Sequence, residues 1–263
     1  MDFIRRQSVI CFAKNALNFE AFQEFYTSVS EIQKIFAADL NLSSNKPLFW
    51  LLMETLDIRM MKGLLNLNLT QYPKAVSLNM NVDSVLTPLF DELIKKMPVP
   101  LIIEFQIADI FHRFDVYKKA CQKLKEHNIS YALDGIGINE LELLDLDAFD
   151  VSYMKIAYSS KLKEEKIQNL LSAFIEKHST VRFVLTHCFD EDSLLLGCKI
   201  GIRLFQGYII DDLCSRMTKE KCTFGQECSL QECTSRRAVL SGLLREQCVH
   251  QPHLDIYMPL KED

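Results

Sequence analysis

Tyr131–Tyr158 reads YALDGIGINELELLDLDAFDVSYMKIAY, and its internal order decides the fold. A short apolar run ends on an acid, Asp134. A glycine-rich turn follows, Gly135-Ile136-Gly137. A leucine-rich segment then leads to a second apolar run that carries Lys155. Two strand-length runs joined by a helix-length segment read as a parallel βα unit. A carboxylate ending one strand and a lysine ending the next predict a shared site, because strand ends in a closed parallel barrel converge on one mouth.

The same rhythm continues on both sides. Lys74–Val82 alternates, with Val76, Leu78, Met80 and Val82 opposite Ser77, Asn79 and Asn81. Leu101–Gln106 alternates too, and Val151–Ile156, Val181–His187 and Ile202–Gln206 complete the set of strands with Tyr131–Asp134. Helix-like segments follow the first two strands at Leu86–Lys96 and Ile110–His127. The six strands end on Asn79, Glu104, Asp134, Lys155, His187 and Gln206, spaced 19 to 32 residues apart, about one βα unit. An open doubly wound sheet gathers polar strand ends only at its switch point, whereas in a barrel every strand contributes. Six contributions favour a TIM-like (β/α) barrel. Upstream, Ser8–Ala13 reads as a strand. Phe19, Phe22, Phe25 and Tyr26 fall at helical spacing, although a strand ending there also fits. A polar break, Asn41–Asn45, precedes a helix over Phe49–Leu65 that is apolar at helical period and suits core packing. After Gln206-Gly207-Tyr208 the periodicity stops. The expected organisation is a barrel domain over residues 1–210 and a Cys-rich extension over 211–263 packed on it, with a helix at Ser235–Gln247.

Bulk properties agree with a globular protein. The 263 residues include 48% hydrophobic positions and 17 Phe, enough for a large core, while 8 Gly and 7 Pro argue against long linkers. A formal net charge of −5 gives no electrostatic reason to expect nucleic-acid or membrane-surface binding. No apolar run approaches the ~20 residues of a membrane span, and MDFIRRQSVICF is unlike a signal peptide. The expected location is cytoplasmic, with reduced cysteines.

The ordered series of motifs resembles the EAL domain family, bacterial phosphodiesterases of the second messenger cyclic di-GMP with a TIM-like barrel. Ser77-Leu78-Asn79 is similar to the family's strand ending in Asn-Leu-Ser, and Ile103-Glu104-Phe105 to the start of its E-L-T-E. Leu133-Asp134-Gly135-Ile136-Gly137 is similar to L-D-D-F-G, and Lys155-Ile156 to K-I-D. Gln206-Gly207-Tyr208 matches Q-G-Y. The resemblance spans roughly residues 7–210, and the order and spacing of the motifs carry it. It implies divalent metal, Mg²⁺ or Mn²⁺, on Asn79, Glu104 and Asp134, since phosphodiester hydrolysis needs an activated water and a Lewis acid. It makes Lys155 the residue that holds the attacking water and Gln206 a ligand contact. For the eponymous E-A-L, Glu20 of Phe19-Glu20-Ala21-Phe22 is the candidate, although FEAFQEF also suits an amphipathic segment with two solvated glutamates.

The departures are informative. The second acid of the D-D pair is Gly135. His187-Cys188-Phe189-Asp190 replaces E-G-V-E, leaving His187 as a candidate catalytic or metal residue and Asp190 as a candidate ligand contact. No Arg follows Ala21 until Arg59, where the family has an Arg after E-A-L. The implied function is a degenerate domain without phosphodiesterase activity, acting in signalling through a protein partner or homodimer. The alternatives are a non-hydrolysing cyclic di-GMP sensor and a weak metal-dependent phosphodiesterase. Lys155 also suits a purely charge-neutralising role in an acidic pocket.

Five of the nine cysteines lie in the last fifty residues. Cys222, Cys228 and Cys233, with Cys214 upstream and Cys248, His250 and His253 downstream, could supply a structural zinc site. Without a C-x2-C pair the zinc signal is weak, and small apolar thiols packing the extension on the barrel are the favoured reading.

Overall fold

The computed structural model describes residues 4–12, 19–36, 46–67, 74–141 and 144–255; Ala13 and the polar break at 41–45 lie outside them. The chain opens with strands β1 (Ile4–Cys11) and β2 (Phe19–Thr27), then helices α1 (Val29–Phe36) and α2 (Lys46–Asn66). Next come β3 (Ala75–Asn79), α3 (Pro88–Lys96), β4 (Leu101–Gln106), α4 (Ile107–His112), α5 (Phe114–Glu126), β5 (Ser130–Ile136) and α6 (Ile138–Leu141). The series continues with β6 (Tyr153–Ala157), α7 (Glu165–Lys177), β7 (Arg182–Thr186), α8 (Glu191–Ile200) and the two-residue β8 (Leu204–Phe205). Three further helices follow: α9 (Tyr208–Lys221), α10 (Leu230–Arg237) and α11 (Leu243–Glu246).

The strands close into a barrel in chain order. Strands β2 to β8 run parallel, and β1 runs against both its neighbours, β2 and β8. This is the expected TIM-like barrel with one reversed strand. Period-2 alternation explains its filling. Val9, Phe22, Ile102, Ala132, Tyr153, Val184 and Leu204 meet in an apolar floor inside the barrel. Two residues further along the parallel strands stand Glu24, Glu104, Asp134, Lys155, Thr186 and Gln206, so a polar layer sits above an apolar one. The other face of each strand carries Phe25, Leu78, Ile103, Leu133, Met154, Leu185 and Phe205 into the main core beneath the helices.

Two sequence expectations change here. Residues 19–26 are strand, not helix; Phe22 and Phe25 are buried because one faces the floor and the other the helical layer. The helix expected at Ser235–Gln247 is replaced by α10 and α11. The first begins earlier, on a Ser229–Glu232 capping box, and Gly242, at φ +94, precedes the second. The boundary expected at 210/211 falls inside α9. The segment beyond it lies along β1: Arg6 N donates to Ala238 O at 2.9 Å, and Arg5 bridges Val239. Among the described residues no helix is long and apolar enough to cross a membrane, and all nine cysteines are free.

Candidate functional site

Lys155 is the centre of the mouth. It is 2% exposed, and its Nζ donates to Glu24 Oε2 and to Glu104 Oε2, each at 2.6 Å. Glu24 is further held by the amide nitrogens of Asn79 and Gln206. One ammonium therefore serves two buried carboxylates, with Asp134 close enough to add its charge. Burial alone would lower the Lys155 ammonium, but Glu104, Glu24 and Asp134 outweigh it and shift it upward. Burial and then the Glu24 charge push Glu104 up to about 8. For Glu24 burial acts upward, but the Lys155 charge and three hydrogen bonds carry it downward. One carboxylate is held ionised while the other tends to keep a proton.

The mouth is short of positive charge, and it has unused acceptors. Asn79 Oδ1 and Glu104 Oε1 are buried without a hydrogen-bond partner. Two orphaned oxygens beside a carboxylate cluster have the donor chemistry of a hard divalent cation, and Glu24, Asn79, Glu104 and Asp134 are the residues that could supply donors to one Mg²⁺ or Mn²⁺.

A second cation finds different surroundings. Gly135, at φ +73, occupies the position of the expected second acid. A Cβ there would stand 2.5 Å from Gln106 Oε1. The Gln106 amide nitrogen donates to Asp134 Oδ2. A neutral amide thus fills the space beside Asp134 that a second carboxylate would need.

Of the sequence-derived candidates, Asn79, Glu104, Asp134, Lys155 and Gln206 come together at the mouth. Glu20 does not. The pairing skips one residue between Val9↔Phe22 and Ile10↔Glu20. This bulge sends Glu20 away from the polar layer, where it is buried and accepts from Gln23 Nε2 at 3.0 Å. Burial pushes its carboxyl upward, against the nearby Arg237 and Arg6 charges. Glu24, four residues on, takes the place expected of it. His187 is exposed, at φ +57, on the rim with Thr186, Gln206 and Tyr208. Asp190 caps α8, accepting from Ser193 N at 2.9 Å; its carboxylate closes a helix and does not reach into the mouth. Gly207 is required by close approach, since a Cβ there would lie 2.3 Å from Cys188 N and O.

Two concavities flank the polar layer. One, about 410 Å³, is walled by Phe49, Trp50, Met53 and Met60 and reaches Glu24, Asn79 and Asp134. The other, about 460 Å³, runs past Lys155 and Gln206 to Arg6, His187 and Tyr208. Behind the first, Asp57 Oδ2 accepts from Asn81 N and Nδ2 at 2.8 Å and from Ser84 Oγ at 2.6 Å, which fixes the chain just after Asn79. Burial pushes Asp57 up to about 6.

Solved EAL domains superpose on this barrel. Klebsiella pneumoniae BlrP1, in a calcium/cy-diGMP complex, is 17% identical, with TM-score 0.56, over 78% of this chain and 54% of that one. The Xanthomonas citri FimX EAL domain, in complex with c-diGMP, is 12% identical, with TM-score 0.57, over 78% and 84%. The Pseudomonas aeruginosa FimX EAL domain, bound to c-di-GMP, is 15% identical, with TM-score 0.53, over 78% and 87%. The chain has the EAL-domain fold. It spans about half the length of BlrP1 and most of the FimX domains. No family model matches the sequence, and no curated protein matches it.

In the extension, the three cysteines first considered for zinc do not form a set. Cys233 is buried and its Sγ donates to Ser215 O at 3.8 Å. Cys222 instead lies with His250 and His253, their ligand atoms all within 4.8 Å of one another.

Proposed function

We propose that this EAL-like domain binds one divalent cation at its mouth, does not hydrolyse cyclic di-GMP, and acts in signalling through protein contact. The observation that carries the reading is the replacement of a second carboxylate by Gly135 with Gln106 bonded across to Asp134. In-line phosphodiester cleavage by a two-metal arrangement needs both attacking and leaving oxygens clamped, and an amide hydrogen bond clamps neither. Glu24, Asn79, Glu104 and Asp134 would hold the single cation, which would supply charge to attract a phosphate. Lys155, which bridges the two glutamates, keeps the acidic pocket folded without it.

A second reading is favoured by the orphaned Asn79 Oδ1 and Glu104 Oε1: the domain senses cyclic di-GMP when a cation is bound. The mouth has acids and few cations, so a dianionic ligand would be repelled unless a metal intervened. Exposed Leu243 and Val249 on the extension offer apolar contact to a partner or a second copy.

Calorimetric titration of the purified chain with cyclic di-GMP, with and without Mn²⁺, followed by product analysis, separates the readings. No heat and no product support action through protein contact. Heat only with Mn²⁺ and intact nucleotide selects the sensor. Linear dinucleotide or GMP, formed in amounts that depend on Asp134, overturns the absence of hydrolysis.

A further inference from the structure

Outside the mouth, one cluster among the described residues has metal-binding chemistry. Cys222 stands at the C-terminal end of α9, and His253 lies in a tight turn over Gln251–Asp255, three residues after His250. The Cys222 Sγ and one nitrogen from each imidazole lie within 4.8 Å of one another. The two imidazole rings face each other with centroids 3.8 Å apart, and Phe224 presents its edge to His250. Nδ1 of His250 and Nδ1 of His253 are both buried without a hydrogen-bond partner.

Two buried imidazole nitrogens without a partner are costly unless something accepts their lone pairs or protons. The Cys222 thiol, within 4.8 Å of a nitrogen of each ring, supplies a soft donor. Ligand atoms around a tetrahedral zinc lie about 3.5 Å apart, given Zn–S and Zn–N bonds of about 2.3 and 2.0 Å. A Cys–His–His set selects Zn²⁺ over the hard cations suited to the carboxylate mouth. Further thiols, Cys228, Cys233 and Cys248, stand in the same extension; a fourth ligand would come from one of these or from water.

We propose that Cys222, His250 and His253 bind Zn²⁺ and staple the last turn of the extension to the end of α9. The staple closes a loop of about thirty residues that contains α10 and α11, which lowers the entropy of the unfolded extension. Its position makes it more than local. The stapled turn supplies Leu254 O, which accepts from Arg6 Nη2 at 2.7 Å, and Asp255, whose Oδ1 lies 2.6 Å from Arg6 Nη1. Arg6 lines the mouth cavity that also reaches Lys155 and Gln206. The zinc would therefore hold one wall of the mouth in place.

The test measures metal on the full chain purified with Zn²⁺ in the medium and without chelator. The expected result is about one Zn²⁺ per chain. Chelator-stripped protein reloaded with Co²⁺ should show tetrahedral d–d bands and a thiolate-to-cobalt charge-transfer band. Cys222→Ser and the pair His250→Gln/His253→Gln should lose affinity for Zn²⁺ by at least about tenfold, with the charge-transfer band gone from Cys222→Ser. Cys222→His should retain the metal, which separates ligand loss from misfolding. Glu104→Gln should keep both zinc and band, which separates this site from the mouth. A parent chain with neither retained zinc nor a thiolate band overturns the proposal. So does zinc that is indifferent to all three ligands, or loss from Cys222→His equal to that from Cys222→Ser.

Discussion

Replacing Lys155 with methionine keeps most of the side-chain volume and removes one charge. In the parent, that ammonium lies 2.6 Å from Glu24 and 2.6 Å from Glu104 and is 2% exposed. Removing one partner of a buried ion pair costs about 3–5 kcal/mol, because the remaining charge has no counter-ion. Here the lower end applies. Glu104, already pushed up to about 8, can take a proton near neutral pH and discharge part of the strain. A loss of about 3 kcal/mol, with a urea slope of about 1–3 kcal/mol/M, lowers the unfolding midpoint by about 1–3 M. The assay is urea denaturation of parent and Lys155→Met at pH 7.5, with Mn²⁺ and with K⁺ at matched ionic strength. Mn²⁺ at about one hundred times its Kd should return about 2.7 kcal/mol to the variant, since the cation takes the place of the ammonium. A loss under about 1 kcal/mol would refute the account of Lys155 as the counter-ion of the mouth. Equal recovery in K⁺ would refute the site as one for a divalent cation.

Glu24→Gln should abolish Mn²⁺ binding by calorimetry while Glu20→Gln leaves it unchanged, because the bulge directs the two glutamates to different surroundings; the reverse pattern would restore Glu20 as the ligand. Mn²⁺ affinity should rise with pH and level off above about pH 8. Glu104 ionises near 4.5 in the unfolded chain and near 8 in the folded one, so between those values the cation must displace a proton. Affinity that is flat from pH 6 to 9 would contradict this. Gly135→Ala should cost about 1–2 kcal/mol, since its φ of +73 lies in the left-handed region and the new Cβ meets Gln106. The double variant Gly135→Asp/Gln106→Ala exchanges the amide for a carboxylate and should bind a second equivalent of Mn²⁺. One equivalent only, in a folded double variant, would show that more than these two residues excludes the second cation.

The barrel was legible because β3, β4, β6 and β7 keep period 2 along their length. Val76 and Leu78 face out and Ser77 and Asn79 face in; the same rule places Glu104, Asp134, Lys155 and Gln206 in one layer. The rule fails at β2. There an inserted residue lets both Ala21 and Phe22 pack against the floor, so the spacing of Phe19, Phe22 and Phe25 mimics a helix and hides Glu24. Reading Phe22, Glu24 and Tyr26 as one strand face would have found it. The reversal of β1 follows from its short connection to β2, too short for a parallel crossover, and was hidden because Phe19, Phe22 and Phe25 fall at helical spacing. Gln106 was invisible as a functional residue because its role depends on Gly135, twenty-nine positions later. Asp190 sat in the right motif, but its carboxylate is spent on a helix N-terminus. The Cys–His–His cluster joins residues that no short spacing rule connects.

The reversed first strand also fixes where the first and last described residues lie. Ile4 pairs with Thr27, at the end of β2 that faces the mouth, and Asp255 is tied to Arg6 two residues further along the same strand. Both ends of the described chain therefore surface beside one rim of the barrel. By the same geometry, a fluorophore attached at residue 4 would sit within reach of the mouth and report on what enters it.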